Sequence, residues 1–119
     1  MISLRKGNKK ILKFKLMVDH QLLDNLSSAT KIVFAAKDKR EDSNDDAPIY
    51  LEWLTGQINS AIAIDTPEEG WVTVTLSSST TDIPEGVYYF ALQIEWFPDD
   101  KQEFIYGDGQ MKVEPDVIR

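Results

Sequence analysis

The sequence predicts an all-β domain, an antiparallel sandwich of about seven to nine strands. Residues 87–96 are the clearest indication, because large apolar side chains alternate there with a mixed set that ends in Gln93 and Glu95. Such alternation turns one face of a strand toward a core and the other toward water. The second indication is spacing, since turn sequences separate short strand-like segments and no segment has the apolar period of an amphipathic helix.

The strand-like segments follow one another along most of the chain. They are residues 12–18, 32–36, 49–54, 57–64, 71–76, 87–96, 102–106 and 110–113. The first alternates Leu12, Phe14 and Leu16 with lysines, and residues 77–83 are expected to cross from one sheet to the other. An immunoglobulin-like Greek key is the leading topology for this number of strands, and a small closed barrel is the alternative that strand counting leaves open.

One domain is expected over residues 1–119, because a chain of this length buries a single core without staples. Residues 37–48 are expected to form an exposed acidic loop that is too polar to pack. Residues 114–119 are expected to be a polar tail.

The distribution of charge narrows the choice of partner. The formal net charge of −7 opposes binding to a phosphate backbone, so no nucleic-acid partner is expected. The region of the first strand is nevertheless basic, with Arg5, Lys6, Lys9, Lys10, Lys13 and Lys15. These lysines are interpreted as a solvated face that protects a sheet edge, and docking of this basic strand onto an acidic surface of another copy is the alternative.

Cysteine is absent, which excludes disulfides, a thiolate nucleophile and a cysteine-based zinc site. The first eight residues lack the apolar core of a signal peptide, and no stretch approaches the about 20 apolar residues that span a bilayer. No membrane partner is therefore expected. The protein is expected to stay in the cytoplasm or to enter an assembly that forms there.

The sequence offers little for catalysis or metal binding. His20 is the only histidine, and no nucleophile elbow or phosphate-binding glycine loop is present. Residues 42–46 resemble the start of a calcium loop, but Ala47 replaces the glycine and Trp53 the bidentate glutamate that such a loop needs. We expect neither an enzyme nor a cofactor. Weak calcium binding by clustered carboxylates stays open, either at Asp42, Asp45 and Asp46 or at Asp99 and Asp100.

Aromatic residues suggest a second class of function. Trp71 shares a strand face with Thr73 and Thr75, which makes it the best candidate for an exposed contact residue. Together with Tyr50 it could form a flat platform along one face, as in carbohydrate- or peptide-binding β-sandwich modules. That binding module is the alternative to a structural role.

Several segments carry a family resemblance in a characteristic order. They are Leu4-Arg5-Lys6-Gly7 before a basic strand, Ala29-Thr30-Lys31-Ile32-Val33-Phe34, Gly70-Trp71-Val72-Thr73-Val74-Thr75-Leu76, Ile83-Pro84-Glu85-Gly86-Val87-Tyr88-Tyr89-Phe90 and Gly109-Gln110-Met111-Lys112-Val113-Glu114-Pro115. This order resembles small immunoglobulin-like structural proteins of tailed bacteriophages and prophages, including the N-terminal domain family of upper baseplate proteins.

The resemblance implies a non-enzymatic virion protein of a tail, baseplate or neck, made in the bacterial cytoplasm and then built into the particle. Its partners would be other virion proteins or copies of itself, as a homo-oligomer within a symmetric assembly. The family supplies no catalytic residue to carry over. The expected contact patch consists of Lys9, Lys13 and Lys15 on the basic strand and of Trp71.

Overall fold

Two β-sheets enclose one core in the computed structural model, which describes residues 1–18, 21–22, 26–57, 61–66, 69–97 and 100–116. Sheet I consists of β1 (Ile2–Arg5), β11 (Gln110–Glu114), β9 (Gly86–Phe97), β5 (Lys31–Lys37) and β6 (Ile49–Leu54) in that order, and β10 (Asp100–Phe104) also pairs with β9. Sheet II consists of β2 (Lys10–Lys15), β8 (Trp71–Leu76) and β7 (Ile62–Thr66). The predicted all-β sandwich is confirmed.

Two very short strands and two 3₁₀ turns are the minor elements of the described residues. β3 (Met17–Val18) and β4 (Gln21–Leu22) form a short antiparallel pair, and 3₁₀ turns occupy Leu26–Ser28 and Asn44–Asp46. Sheets I and II share no hydrogen-bonded strand pair within the described ranges, so the closed barrel is not the observed arrangement.

The longest strand, β9, organises sheet I. One edge pairs with β5 from Tyr89 to Glu95, and the other edge is divided between β11 and β10. The chain leaves the sheet between these two strands, where the amide of Phe90 donates to the carbonyl oxygen of Gly109 at 2.9 Å. Residues 87–96 therefore form the predicted strand, which is the centre of its sheet.

Alternation along the strands builds the core that both sheets share. The aromatic rings of Phe34 and Phe90 in sheet I lie 6.2 and 6.1 Å from the ring of Phe14 in sheet II, measured between centroids. The ring of Tyr106 lies 4.9 Å from that of Phe14, with the two ring planes tilted by 36°. Packing of these rings joins the two layers, since buried aromatic pairs add to the stabilisation that area burial provides.

The first strand differs from the prediction. β1 pairs parallel to β11, and Leu4 is buried against the core beside its register partner Val113. The basic run therefore divides between the two layers, with Arg5 in sheet I and Lys13 in sheet II. Sequence alternation did not reveal β1, because it is only four residues long and merges with the basic segment that follows.

The connection between β8 and β9 crosses from sheet II to sheet I, as predicted. Thr81 is fully buried within it, and its hydroxyl donates to the carbonyl oxygen of Asn8 at 2.8 Å. The hydroxyl of Tyr88 donates to the carbonyl oxygen of Pro84. The first bond fixes the crossover against the turn between β1 and β2, and the second fixes its end against β9.

Candidate interaction surfaces

The outer face of sheet II carries three of the four predicted patch residues. Lys15 and Trp71 are register partners on adjacent strands, and the Lys15 ammonium lies 5.5 Å from the centre of the indole ring. Lys13 lies opposite Thr73, whose hydroxyl donates to the carboxylate of Asp65. The structure thus brings Lys13, Lys15 and Trp71 together on one face.

Trp71 is half-buried rather than a projecting aromatic. The cation of Lys15 over its ring gains a cation–π attraction and covers part of the surface that a ligand would need. The sequence identified the correct face for Trp71, but the direct cross-strand pairing with Lys15 depends on the register between β2 and β8.

Lys9 lies apart from the other patch residues. It precedes β2 at the end away from Lys15, about 20 Å along the strand direction. There it lines a shallow groove of about 380 Å³ between β1 and β2, together with Arg5, Asn8 and Glu114. The four predicted residues therefore belong to two separate places on the molecule.

A second concavity, which sequence reasoning missed, lies on the outer face of sheet I. Its floor consists of Val33, Ala35 and Ala91, of which Ala35 and Ala91 are register partners on adjacent strands. The groove measures about 300 Å³ and is bordered by Lys37, Arg40, Asn44, Tyr89, Gln93, Glu103 and Ile105. Small side chains in the middle of the sheet, among larger neighbours, create this hollow.

Arg40 forms one wall of this groove. Its guanidinium carbon lies 4.8 Å from the ring centre of Tyr89, and its Nη2 donates to the carbonyl oxygen of Asp108 at 3.0 Å. The acidic loop therefore folds back over sheet I and contacts the connection between β10 and β11. Nothing in the sequence pairs Arg40 with residues almost 50 and 70 positions away, because only the sheet order brings them together.

Polar contacts hold the acidic loop from within. Lys37 Nζ donates to the carbonyl oxygen of Asp42 at 2.8 Å, and the Asp42 carboxylate accepts the amide of Lys39 at 3.1 Å. The hydroxyl of Ser43 donates to the carboxylate of Asp46 at 3.3 Å. Two of the acids considered for calcium binding thus serve as acceptors in the loop itself.

Among the described residues, no three His, Cys, Asp or Glu side chains form a set that could hold a metal ion. His20 and Asp99, which entered the sequence interpretation, lie outside the described residues. Over the same described ranges, no helix is long and apolar enough to cross a bilayer.

Comparisons with known proteins add no relative. No protein-family model matches the chain, and no curated protein matches it. The interpretation of function consequently depends on the residues themselves and on the two surfaces described above.

Proposed function

We propose that the chain is a non-enzymatic structural protein of a phage or prophage virion, in a tail, baseplate or neck, which acts through protein–protein contacts. The virion assignment is supported by the order of segments that resembles small structural proteins of tailed phages. The observation that supports action through protein contacts is the groove on the outer face of sheet I, where an apolar floor lies inside a polar rim. That arrangement matches the anatomy of protein interfaces, which have an apolar centre and a polar border.

The charges beside the groove support a protein partner over a charged ligand. Lys37 already bonds to the backbone of Asp42, and Arg40 to the backbone of Asp108. Both cationic side chains are therefore already engaged by backbone carbonyls, which disfavours the groove as a binding site for an anion. The volume of about 300 Å³ lies at the lower end for ligand pockets and suits one or two side chains of a partner protein.

We propose further that the sandwich is an immunoglobulin-like Greek key. The strand orders β1-β11-β9-β5-β6 and β2-β8-β7 support it, because the pairs β1–β11, β5–β9 and β2–β8 each join strands that are distant in sequence. The bond from Tyr88 to the backbone four residues upstream, at the corner before β9, also supports it. A tyrosine in this position is a recurrent feature of immunoglobulin-type sandwiches.

The alternative of a carbohydrate- or peptide-binding module receives less support. That alternative expects Trp71 and Tyr50 along one face, whereas Trp71 lies in sheet II and Tyr50 in sheet I. Trp71 is in addition partly covered by Lys15. The aromatic residues therefore do not form the coplanar row that sugar stacking requires.

The proposal is tested by incorporation into particles in the bacterial strain that encodes the chain. Induced cells should release virions that contain the protein after gradient purification. Ala91→Trp fills the groove floor and should reduce incorporation, while Lys112→Trp, at an exposed position of β11 that lines neither groove, is a matched control that leaves it unchanged. Absence of the wild-type chain from particles, or equal incorporation of both well-folded variants, would overturn the proposal.

A further inference from the structure

The edge of sheet I formed by β6 has a defined set of outward backbone groups. The amide of Thr55 donates to the carbonyl oxygen of Thr30 at 3.0 Å, which continues the pairing of β6 with β5. Hydrogen-bonded pairs alternate along an antiparallel ladder, so the odd-numbered residues of β6 bond to β5. The amides and carbonyls of Tyr50, Glu52 and Leu54 consequently point away from the sheet.

Both ends of this edge are closed. The Leu54 amide donates to Gln57 Oε1, and the Leu54 carbonyl accepts the amide of Gln57, each at 3.0 Å. At the other end lies Pro48, which is even-numbered like the residues whose backbone groups point outward. As a proline it has no amide hydrogen to donate. Tyr50 and Glu52 remain, and none of the described residues bonds to their outward backbone groups.

We propose that β6 pairs antiparallel with β6 of a second copy, about a two-fold axis at Leu51. Tyr50 then lies opposite Glu52 of the second copy, and Glu52 opposite Tyr50 of the second copy. Each such pair exchanges two backbone hydrogen bonds, so the four outward groups of each chain are all satisfied. Each edge is self-complementary, as a two-fold interface requires.

Neighbouring registers are less favourable. An axis at Tyr50 places Glu52 opposite Pro48, which cannot donate a backbone hydrogen bond. An axis at Glu52 places two glutamates directly opposite each other and sets Tyr50 against Leu54, whose groups Gln57 already occupies. The closed ends therefore select the register centred on Leu51.

The side chains fit the same register. The Tyr50 hydroxyl donates to Glu52 Oε2 at 2.9 Å, and Lys31 Nζ lies 3.5 Å from that carboxylate oxygen. The negative charge of Glu52 is thus already paired with Lys31 of its own chain before the two copies associate. On the core side, Leu51 lies opposite Leu51 of the second copy, and Trp53 lies opposite Ile49 of the second copy. Apolar side chains of the two copies therefore pack against each other across the interface.

The contact is small, so it forms a weak dimer that gains strength where many copies are held together. Each copy carries a formal charge of −7, and salt should strengthen the pairing by screening repulsion between copies. Docking of a basic face onto the acidic loop would respond in the opposite way. This inference rests on the proposed function, since both describe a protein that works by contacts in an assembly.

A cysteine placed on the axis tests the geometry, because the natural chain has none. Leu51→Cys puts two thiols in a non-hydrogen-bonded pair with Cα atoms about 4.5 Å apart, which a disulfide can bridge. Leu54→Cys is the matched control: it is more exposed, yet about 20 Å from its counterpart across the axis. Mild oxidation should link Leu51→Cys about tenfold faster or more, and faster still at higher salt. Equal rates for the two variants would overturn the proposal.

A variant without a new thiol provides a second test. Tyr50→Pro removes an outward amide that β5 does not use, so the fold is kept while the pairing is lost. Sedimentation velocity should show wild-type association that rises with concentration and salt, and a monomeric Tyr50→Pro chain. A monomeric wild type, or equal association of the two proteins, contradicts the proposal. Failure of the β6 pairing in either test would not change the expected result of the particle test with Ala91→Trp. The pairing of β6 and the proposed function can therefore be refuted independently of each other.

Discussion

The hydroxyl of Tyr88 donates to the backbone carbonyl of Pro84, four residues earlier, at the corner where the chain enters β9. Tyr88 is almost fully buried, and its ring belongs to the core. One side chain thereby fixes both the layer that β9 joins and the path by which the chain reaches it. The crossover from sheet II and the centre of sheet I are coupled at this point.

Removal of that hydroxyl should destabilise the protein measurably. Tyr88→Phe leaves the Pro84 carbonyl without its partner, and we expect a loss of about 1–2 kcal/mol in the free energy of unfolding. Tyr89→Phe makes the same chemical change one residue further, on the outer face, and should alter that free energy by less than about 0.5 kcal/mol. Denaturant unfolding of both variants measures the difference, and equal effects would refute the corner interpretation.

The Lys15–Trp71 contact on sheet II should show measurable coupling. Comparison of Lys15→Gln, Trp71→Leu and the double variant by denaturant unfolding isolates the pairwise free energy, which we expect to be about 0.5–1 kcal/mol. Lys13→Gln combined with Trp71→Leu is the control and should be additive, because Lys13 lies opposite Thr73. Coupling of the Lys13 pair as large as that of the Lys15 pair would argue against the observed register.

Two glycines in the turn before β11 should respond differently to alanine. Gly107 and Gly109 both have positive φ angles, of 57° and 67°, so each alanine incurs backbone strain of about 1 kcal/mol. A Cβ at Gly109 would in addition lie 2.8 Å from Ile105 Cγ2 and 3.4 Å from Arg40 Nη2. Gly109→Ala should therefore destabilise more than Gly107→Ala, by thermal or denaturant unfolding. The reverse order would contradict the close packing of Ile105 against Gly109.

Tyr106 should give the protein a specific alkaline sensitivity. Burial raises the pKa of Tyr106 from 10.0 to about 12, and its hydroxyl donates to the carbonyl oxygen of Lys15 at 2.9 Å. Below pH 10 the group is protonated in both states and its stabilising effect is complete. Between pH 10 and 12 the unfolded chain ionises first, so the free energy of unfolding falls.

The comparison with Tyr106→Phe isolates this effect, because other groups that titrate in that range are common to both proteins. We expect the wild type to exceed the variant in stability most clearly below pH 10, and the difference to shrink as the pH approaches 12. Chemical denaturation at fixed pH values measures it. A difference that stays constant from pH 8 to 12 would contradict the link between the Tyr106 proton and folding.

The core aromatic cluster should be intolerant of truncation. Phe34 is fully buried, and its ring lies 6.2 Å from Phe14 and 5.9 Å from Phe90. Phe34→Ala should cost about 3–5 kcal/mol, a large part of the stability of a domain of this size. Circular dichroism and denaturant unfolding should show a largely unfolded or much weakened protein. A loss below about 1 kcal/mol would mean that the two layers do not meet at these rings.

The sequence revealed those parts of the fold that depend on local alternation. Residues 71–76 and 87–96 were located as strands because their apolar side chains repeat every second position, which is a local signal. β1 escaped detection because four residues carry too little pattern, and its parallel pairing with β11 joins the two ends of the described chain. Pairing between strands this distant in sequence cannot be seen in the local residue pattern of either strand.

The candidate surfaces divide in the same way. The sequence predicted an outer face for Lys13, Lys15 and Trp71, because successive side chains of a strand point to opposite faces of the sheet. It did not reveal the groove on sheet I, because Ala35 and Ala91 become neighbours only through the pairing of β5 with β9. Small residues mark a hollow only when the strands beside them are known.

The most direct test of the central claim, that this chain is a virion structural protein, is its quantity in purified particles. Particles from the encoding strain would be separated on a density gradient, and the chain measured by quantitative mass spectrometry against a tail protein of known copy number. We expect the chain in the particle fraction at several copies per tail, in a fixed ratio between preparations. Its absence from particles, with all of the protein in the particle-free fraction, would contradict the account.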